Sequence, residues 1–360
     1  MRYVFLVQGE GRGHMTQAIA LSAILQQGGH DVAHVFIGKS NRRTIPSYFF
    51  EQINAEVSQL SSPNFVLDKD NRSLDITRSI THNTRFLKTY KQSLDQINRK
   101  VKETKPDAII NFYDFLGGFY FRFYNTGSVR HICVGRQFLT LQPDYPFIEG
   151  REVEKRLYLT NNKVTSQKCD KYLGLSFRPY EPNKYKKIVV MPPLLYGEFM
   201  QQETSREDFI LAYMVNDGYA EDLMNWQEKH PEQVVHCFWD RKGIADQYSP
   251  QKNLIFHQIN NTKFKDMMRR CSAYVTTAGF ESVCEAMFLQ KPTLMIPVES
   301  QYEQACNAAD GQFSWAGMVG NSFDLSPLME FLPSYQPNED FKDWLSMSAS
   351  MFLEELTNFS

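Results

Sequence analysis

Nothing in these 360 residues approaches the run of about 20 apolar positions that a membrane-crossing helix needs. Nor does the N-terminal MRYVFLVQGEG hold an h-region with a cleavage site. It enters a strand-like run at once, so a cytoplasmic protein is expected. The six cysteines, Cys133, Cys169, Cys237, Cys271, Cys284 and Cys306, form no C-x-x-C pair and sit mostly in apolar stretches. They read as buried free thiols of a reducing compartment, in preference to disulfides or zinc ligands. The eight histidines show no H-E-x-x-H or other metal spacing. Net charge is only −2, which argues against nucleic acid as the main partner.

What is present is globular. A hydrophobic fraction of 42% with 14% aromatics excludes disorder for the bulk of the chain. At roughly 150 residues per domain, the length predicts two domains. Charge divides the chain the same way. Residues 1–180 hold 25 Lys and Arg against 16 Asp and Glu, a net +9, and residues 181–360 hold 14 against 25, a net −11. A basic half joined to an acidic half points to two domains with different partners.

Hydrophobic periodicity fills in both halves. Tyr3–Val7 reads as a strand, followed by the loop Gly9-Glu10-Gly11-Arg12-Gly13-His14 and a helical pattern through Leu25 that Gly28-Gly29 stop. Asp31–Ile37 is the next strand, which makes a βαβ opening and a parallel sheet. Further strands are expected at Asp107–Phe112 and His131–Val134, with a long helix over Thr77–Glu103. Residues 178–187 (RPYEPNKYKK) combine two prolines with several charges and read as the linker. A second alternation follows, with strands near Phe209–Val215, Val234–Trp239, Leu254–Gln258, Tyr274–Thr277 and Thr293–Val298. Helices are expected near Glu221–Lys229, Lys263–Arg270, Ser282–Leu289 and Tyr302–Trp315. The expected organisation is an α/β protein of two tandem Rossmann-like domains, 1–177 and 188–335, with a cleft between them. A C-terminal helical segment, 336–360, would pack back across the first domain.

Two loops carry candidate chemistry. The first is Gly9–His14, at the carboxyl end of a parallel strand, where ligands of such sheets bind. Its G-x-G-x-G-H pattern is neither G-x-G-x-x-G nor a P-loop, which weakens dinucleotide and NTPase readings. Gly9, Gly11 and Gly13 allow close approach to the backbone, Arg12 stands among them, and His14 opens the helix as a candidate general base. A capping or packing histidine is the competing reading. The second loop is Thr276-Thr277-Ala278-Gly279-Phe280-Glu281-Ser282-Val283-Cys284-Glu285, which runs from strand into helix. Its backbone N–H groups suit a phosphate, and Glu285 suits a ribose diol. After the next strand, Glu303 and Gln304 stand at another helix start, with Asn307 one turn on.

At this spacing the second stretch resembles the nucleotide-sugar box of GT-B glycosyltransferases. These are the UDP-glycosyltransferases and the N-acetylglucosaminyltransferase of the peptidoglycan lipid precursor. Against the pattern T-H-C-G-W-N-S-x-x-E, Thr276, Gly279, Ser282 and Glu285 match and Phe280 stands for the tryptophan. Glu303-Gln304 stands for the acidic-Gln pair. The resemblance implies that Glu285 binds the uridine ribose, that Glu303 and Gln304 read donor-sugar hydroxyls, and that Gly279 to Ser282 hold the phosphates. The glycine loop is similar to that of the same families, where a histidine follows the last glycine. His14 takes that position, and Asp114, after the strand Asp107–Phe112, takes that of the aspartate that orients it. The departures are Thr277 for the box histidine, Glu281 for the box asparagine, and Val215-Asn216-Asp217-Gly218 in place of a glycine-serine turn.

The resemblance implies a GT-B glycosyltransferase that moves a sugar from a UDP-sugar to an acceptor hydroxyl with inversion. No D-x-D-like metal pair stands at a suitable loop, so neither a metal nor another cofactor is expected. A UDP-sugar 2-epimerase of the same fold and a nucleotide-sugar-binding protein without turnover are the alternatives. Basic residues along Thr77–Glu103 beside the aromatic run Phe112–Tyr124 raise the further expectation of a sugar or lipid-linked acceptor. They also raise that of peripheral contact with an anionic inner membrane face. A buried aromatic helix would explain the run equally.

Overall fold

The computed structural model describes residues 1–39, 44–63, 66–67, 74–75, 83–124, 126–181, 187–197, 200–214, 217–241 and 243–358. The first sheet contains β1 (Arg2–Gln8), β2 (Asp31–Lys39), β3 (Val57–Ser61), β6 (Ala108–Phe112), β7 (Arg130–Val134), β8 (Lys171–Leu175) and β9 (Ile188–Met191). A two-stranded ribbon, β4 (Val66–Leu67) with β5 (Leu74–Asp75), stands apart from it. The sheet order is β3-β2-β1-β6-β7-β8-β9, with every neighbouring pair parallel. Tyr3 to Val7 and the whole of β6 are buried, as central strands covered by helices on both faces must be.

The second sheet contains β10 (Ile210–Met214), β11 (Val235–Trp239), β12 (Gln247–Gln251), β13 (Leu254–Gln258), β14 (Ala273–Thr276), β15 (Thr293–Met295) and β16 (Gly317–Val319). Its order is β12-β13-β11-β10-β14-β15-β16, parallel except for β12 at the edge. Each sheet has one point where successive strands change direction of travel, between β1 and β6 in the first and between β10 and β14 in the second. A crevice opens beyond the strand ends at such a point. The glycine loop leaves β1 and the candidate donor box leaves β14, so both occupy these positions.

Three expectations shift. Residues 178–187 do not join the domains. They connect β8 to β9 within the first sheet, because Ile188–Met191 adds as a parallel edge strand, and residues 182–186 of that stretch lie outside the described residues. The chain passes to the second sheet only between Met191 and Ile210. The long helix is regular over Leu87–Thr104 and ends on Lys105 in left-handed conformation, φ 47°, while 77–82 lie outside the described residues. Tyr90, Leu94, Ile97 and Val101 form its buried stripe, while Leu87 is 65% exposed. The aromatic run forms a helix, Phe115–Phe123, whose Leu116, Tyr120 and Phe121 are buried while Phe123 is 71% exposed.

The C-terminal helices Asp340–Ser346 and Ser348–Thr357 return to the first sheet. Phe341, Leu345, Phe352 and Leu356 are buried in the same core as Tyr3, Phe5 and Ile110. Tyr3 Oη donates to the Leu356 carbonyl at 2.7 Å, Trp344 Nε1 to that of Ser176 at 3.0 Å, and Lys171 pairs with Glu355 at 2.9 Å.

Where the two layers meet, Arg136, just past β7, lies at 1% exposure against Asp310 on the helix Tyr302–Phe313. Nη2 to Oδ2 is 2.5 Å, Nε donates to Asn307 Oδ1 at 3.1 Å, and the guanidinium lies over the rings of Tyr145, Phe177 and Phe280. Removing one member of such a pair strands the other charge in the interior. Asp310→Ala is expected to cost about 3–5 kcal/mol in denaturant unfolding, against under about 1 kcal/mol for the exposed pair partner Asp31→Ala.

Candidate active site

A cavity of about 970 Å³ fills the cleft between the two sheets. From the first domain it is lined by Glu10 to His14, Tyr113, Phe115, Phe119 and Gln137, and from the second by Gly279 to Ser282, Glu285, Glu303 and Gln304. Two helix N-termini face it. The helix Arg12–Gln27 starts from Gly11 and the helix Phe280–Phe288 from Gly279, and neither has a side-chain cap. Their dipoles therefore favour an anion there, although the Glu281 carboxylate engages its own N–H in the first turn of Phe280–Phe288. Ala278 adopts φ 57°, and this turn swings the chain from β14 into the helix.

The glycines divide by role. Gly9 is structural: its N–H donates to the Gly38 carbonyl at 2.8 Å, and a Cβ there would lie 2.4 Å from that oxygen. Gly13 faces the cleft, where a Cβ would strike the Glu281 carboxylate. Gly11 and Arg12 line the cavity.

His14 is buried, stacked on Tyr113 with ring centroids 5.7 Å apart. Burial holds its imidazole down at about 4, so it is neutral near pH 7 and keeps a lone pair on one ring nitrogen. Its expected partner is elsewhere. Asp114 Oδ1 accepts from the Leu116 N–H and from Ser62 Oγ, both at 2.8 Å, and so caps the helix Phe115–Phe123. Burial raises its carboxyl to about 6, and no hydrogen bond joins it to His14 among the described contacts. Aspartate is a favoured cap at the start of a helix, and that local role claims its oxygen. His14 meets two glutamines instead, Gln17 Oε1 from Nδ1 and Gln137 Nε2 from Nε2, each at 3.4 Å.

Of the expected donor contacts, Glu285 lines the cavity and pairs with Lys265 Nζ at 2.8 Å. Ser282 Oγ bonds back to the Gly279 carbonyl at 3.3 Å. Gln304 Oε1 accepts from the Val298 N–H at 2.8 Å. Phe280 packs on Phe177 with centroids 4.7 Å apart. One expectation fails on position. Thr277 is 1% exposed and is not among the residues around the cavity, because it follows the last residue of β14 into the interior. Asn307 lines the cavity as expected, and with both polar atoms engaged, by Arg136 and by the Ala278 carbonyl, it also ties the domains together.

Glu281 and Glu303 reach across the cleft. Glu281 accepts from Gln17 Nε2, and Glu303 from Gln137 Nε2 at 2.9 Å. Desolvation pushes both carboxyls up to about 7. Gln17, Gln137, Arg136 and Lys265 were not legible in the sequence. Gln17, one turn from His14 on the same helix face, carries the only local signal. Among the described residues, no three His, Cys, Asp or Glu side chains gather as a metal-ligand set. No described helix is long and apolar enough to cross a membrane.

The sequence pattern of glycosyl transferase family 1 matches residues 1–334. The chain belongs to that family. It is a glycosyltransferase of the GT-B fold, and this membership places sugar transfer ahead of the epimerase and binding-protein readings. Solved glycosyltransferases share its architecture. An Arabidopsis thaliana enzyme, UGT89C1, complexed with quercetin is 14% identical with a TM-score of 0.63, covering 99% of this chain and 98% of its own. The spinosyn rhamnosyltransferase SpnG complexed with spinosyn aglycone is 13% identical with a TM-score of 0.60, covering 99% and 100%. Phytolacca americana UGT2 complexed with UDP-2fluoro-glucose and pterostilbene is 10% identical with a TM-score of 0.65, covering 99% and 98%. Among curated proteins none matches in sequence.

The raised carboxyls make this glycosyltransferase pH-sensitive. A carboxyl whose value is higher in the closed fold binds more protons there than when exposed, so stability falls as pH rises. Between about pH 4.5 and 7, Glu281 and Glu303 are expected to lower the melting temperature progressively. Glu281→Gln removes one of the two contributions and should flatten the fall, which a thermal melting series across pH 5 to 8 would read.

Proposed function

We propose that this glycosyltransferase transfers a sugar from a UDP-sugar to an acceptor hydroxyl with inversion at the anomeric carbon. The supporting observation is the meeting, in one cavity, of a neutral buried histidine from the first domain and an uncapped helix N-terminus with Glu285 from the second. The diphosphate would lie at the N-terminus of Phe280–Phe288, the ribose at Glu285 and the donor sugar near Glu303 and Gln304. His14 Nε2 would take the acceptor proton as the acceptor oxygen bonds to the anomeric carbon. The anomeric C–O bond to the diphosphate breaks on the opposite face, its electron pair leaving with the diphosphate. Helix N–H groups and dipole stabilise that charge, so the proposed reaction requires no metal. UDP-2fluoro-glucose in one similar enzyme and thymidine diphosphate in another bear on the donor class.

Calorimetry with UDP tests the donor half. Glu285→Ala should weaken UDP by roughly 1–3 kcal/mol, the scale of a lost charge-assisted hydrogen bond. Unchanged affinity in a folded variant would refute the assignment. For the chemical step, His14→Ala should reduce turnover about 10²–10⁴-fold with UDP affinity nearly intact. Turnover within a few-fold of wild type would make His14 a packing residue.

The acceptor side is apolar. Leu87, Phe115, Phe119 and Val153 line the first-domain mouth of the cavity, where helices Leu87–Thr104, Phe115–Phe123 and Glu152–Thr165 pack side by side. Leu87, Phe123 and Val153 are each more than 60% exposed, and Lys88, Lys91 and Arg122 stand exposed on the same helices. We take this rim as the docking edge for a lipid-linked acceptor at an anionic membrane face, each nearby basic residue adding about 1 kcal/mol. Sedimentation with anionic vesicles should exceed that with neutral ones and fall with salt. Equal sedimentation would leave a soluble apolar acceptor.

A further inference from the structure

The two ring nitrogens of His14 face two glutamines, and a glutamate of the second domain pins each glutamine. Gln17 Nε2 donates to Glu281 Oε1, so the Gln17 amide turns its oxygen toward His14 Nδ1, 3.4 Å away. Gln137 Nε2 donates to Glu303 Oε1 at 2.9 Å, and the same nitrogen lies 3.4 Å from His14 Nε2. An ionised carboxylate and an amide oxygen only accept hydrogen bonds, and an amide NH2 only donates them. The oxygen of Gln17 therefore requires a proton on Nδ1, and the NH2 of Gln137 requires a lone pair on Nε2. Two separate glutamines on different elements demand the same neutral tautomer.

We propose that Gln17 and Gln137 are positioning residues that, held by Glu281 and Glu303 from across the cleft, set His14 as the Nδ1–H tautomer with its Nε2 lone pair toward the cavity. The consequence for catalysis rests on the proposed role of His14 as general base. The tautomer itself does not depend on that role. Free imidazole side chains favour the opposite form, Nε2–H, which would turn a proton where the base needs a lone pair, and a wrong tautomer is costly at a catalytic histidine. Since both glutamates belong to the second domain, the base is prepared only where the two domains face each other.

The identity of Glu281 follows from the same geometry. The asparagine of the resembled box could itself donate to the oxygen of Gln17 and allow the reverse arrangement, whereas an ionised glutamate cannot. The charged groups facing Glu281 are Glu285 on its own helix, which Lys265 pairs, and Glu303 on the helix Tyr302–Phe313. Glu303 in turn faces Arg136. As pH rises above about 7 both glutamates ionise and the constraint strengthens.

The test uses the full chain labelled with 15N-histidine at pH 8, without substrate, and His14→Gln assigns the ring signals. Wild type should show a protonated Nδ1 and an unprotonated Nε2. Gln17→Leu, which keeps the volume but removes the acceptor, should lower the Nδ1–H population severalfold. Glu281→Ala, which leaves Gln17 in place but free to turn, should do the same, so the result does not hang on one variant folding. An Nε2–H tautomer in wild type, or an unchanged tautomer in both variants, would overturn the proposal. Normal turnover in His14→Ala would instead refute the general-base reading while leaving the tautomer result intact.

Discussion

The arrangement of this enzyme depends on one buried charge pair. Arg136 leaves the first sheet just past β7, Asp310 sits on a helix of the second sheet, and both are removed from water. A pair in that setting is held to a narrow geometry, because each partner must compensate the desolvation of the other. Arg136 also orders Asn307 through Nε and lies against Phe177 and Phe280. The residue after Arg136 is Gln137 and the residue after Phe280 is Glu281, so the pair that joins the layers also delivers both walls of the site. The C-terminal helices reinforce it by burying Phe352 and Leu356 in the first domain's core.

On that frame the cleft combines two uncapped helix N-termini, which favour negative charge, with carboxylates at or near its walls, among them Glu281, Glu285, Glu303 and Asp114. Glu285 is compensated by Lys265, and Asp114 is spent as a helix cap. Glu281 is bonded by amides and Glu303 by amides with Arg136 nearby, and burial still raises both into the neutral range. The proposed donor diphosphate would bring further negative charge to the same place. Binding of that donor and protonation of the glutamates would therefore draw on the same electrostatics.

Much of the fold was legible along the chain. Alternating strand and helix patterns located most strands of both sheets to within one or two residues, because buried parallel strands read as unbroken apolar runs. The glycine loop and the box at Thr276–Glu285 were legible for a related reason: a strand-to-helix turn at a sheet's switch point demands glycines and uncapped N–H groups locally. The linker was misplaced because β9 is a four-residue edge strand whose sheet membership is decided by pairing with β8, over a distance no local pattern records. Asp114 was found for its position after β6, yet its partner was misassigned. An aspartate before a helix satisfies the sequence pattern of a cap and that of an orienting acid alike, and only coordinates show which group its oxygen meets.

By itself the sequence determined the α/β class, the two halves, the resemblance to sugar transferases and the two loops that line the cleft cavity. All of these follow from periodicity and from backbone demands within some ten residues. Only the tertiary structure decided that His14 answers to Gln17 and Gln137 instead of Asp114, that Asn307 serves the interface, and that Glu281 reaches the opposite domain. These contacts join positions more than one hundred residues apart in most cases. A hydrogen-bond partner is chosen by distance and by what else competes for it once the core has packed, and that competition leaves no trace in local sequence.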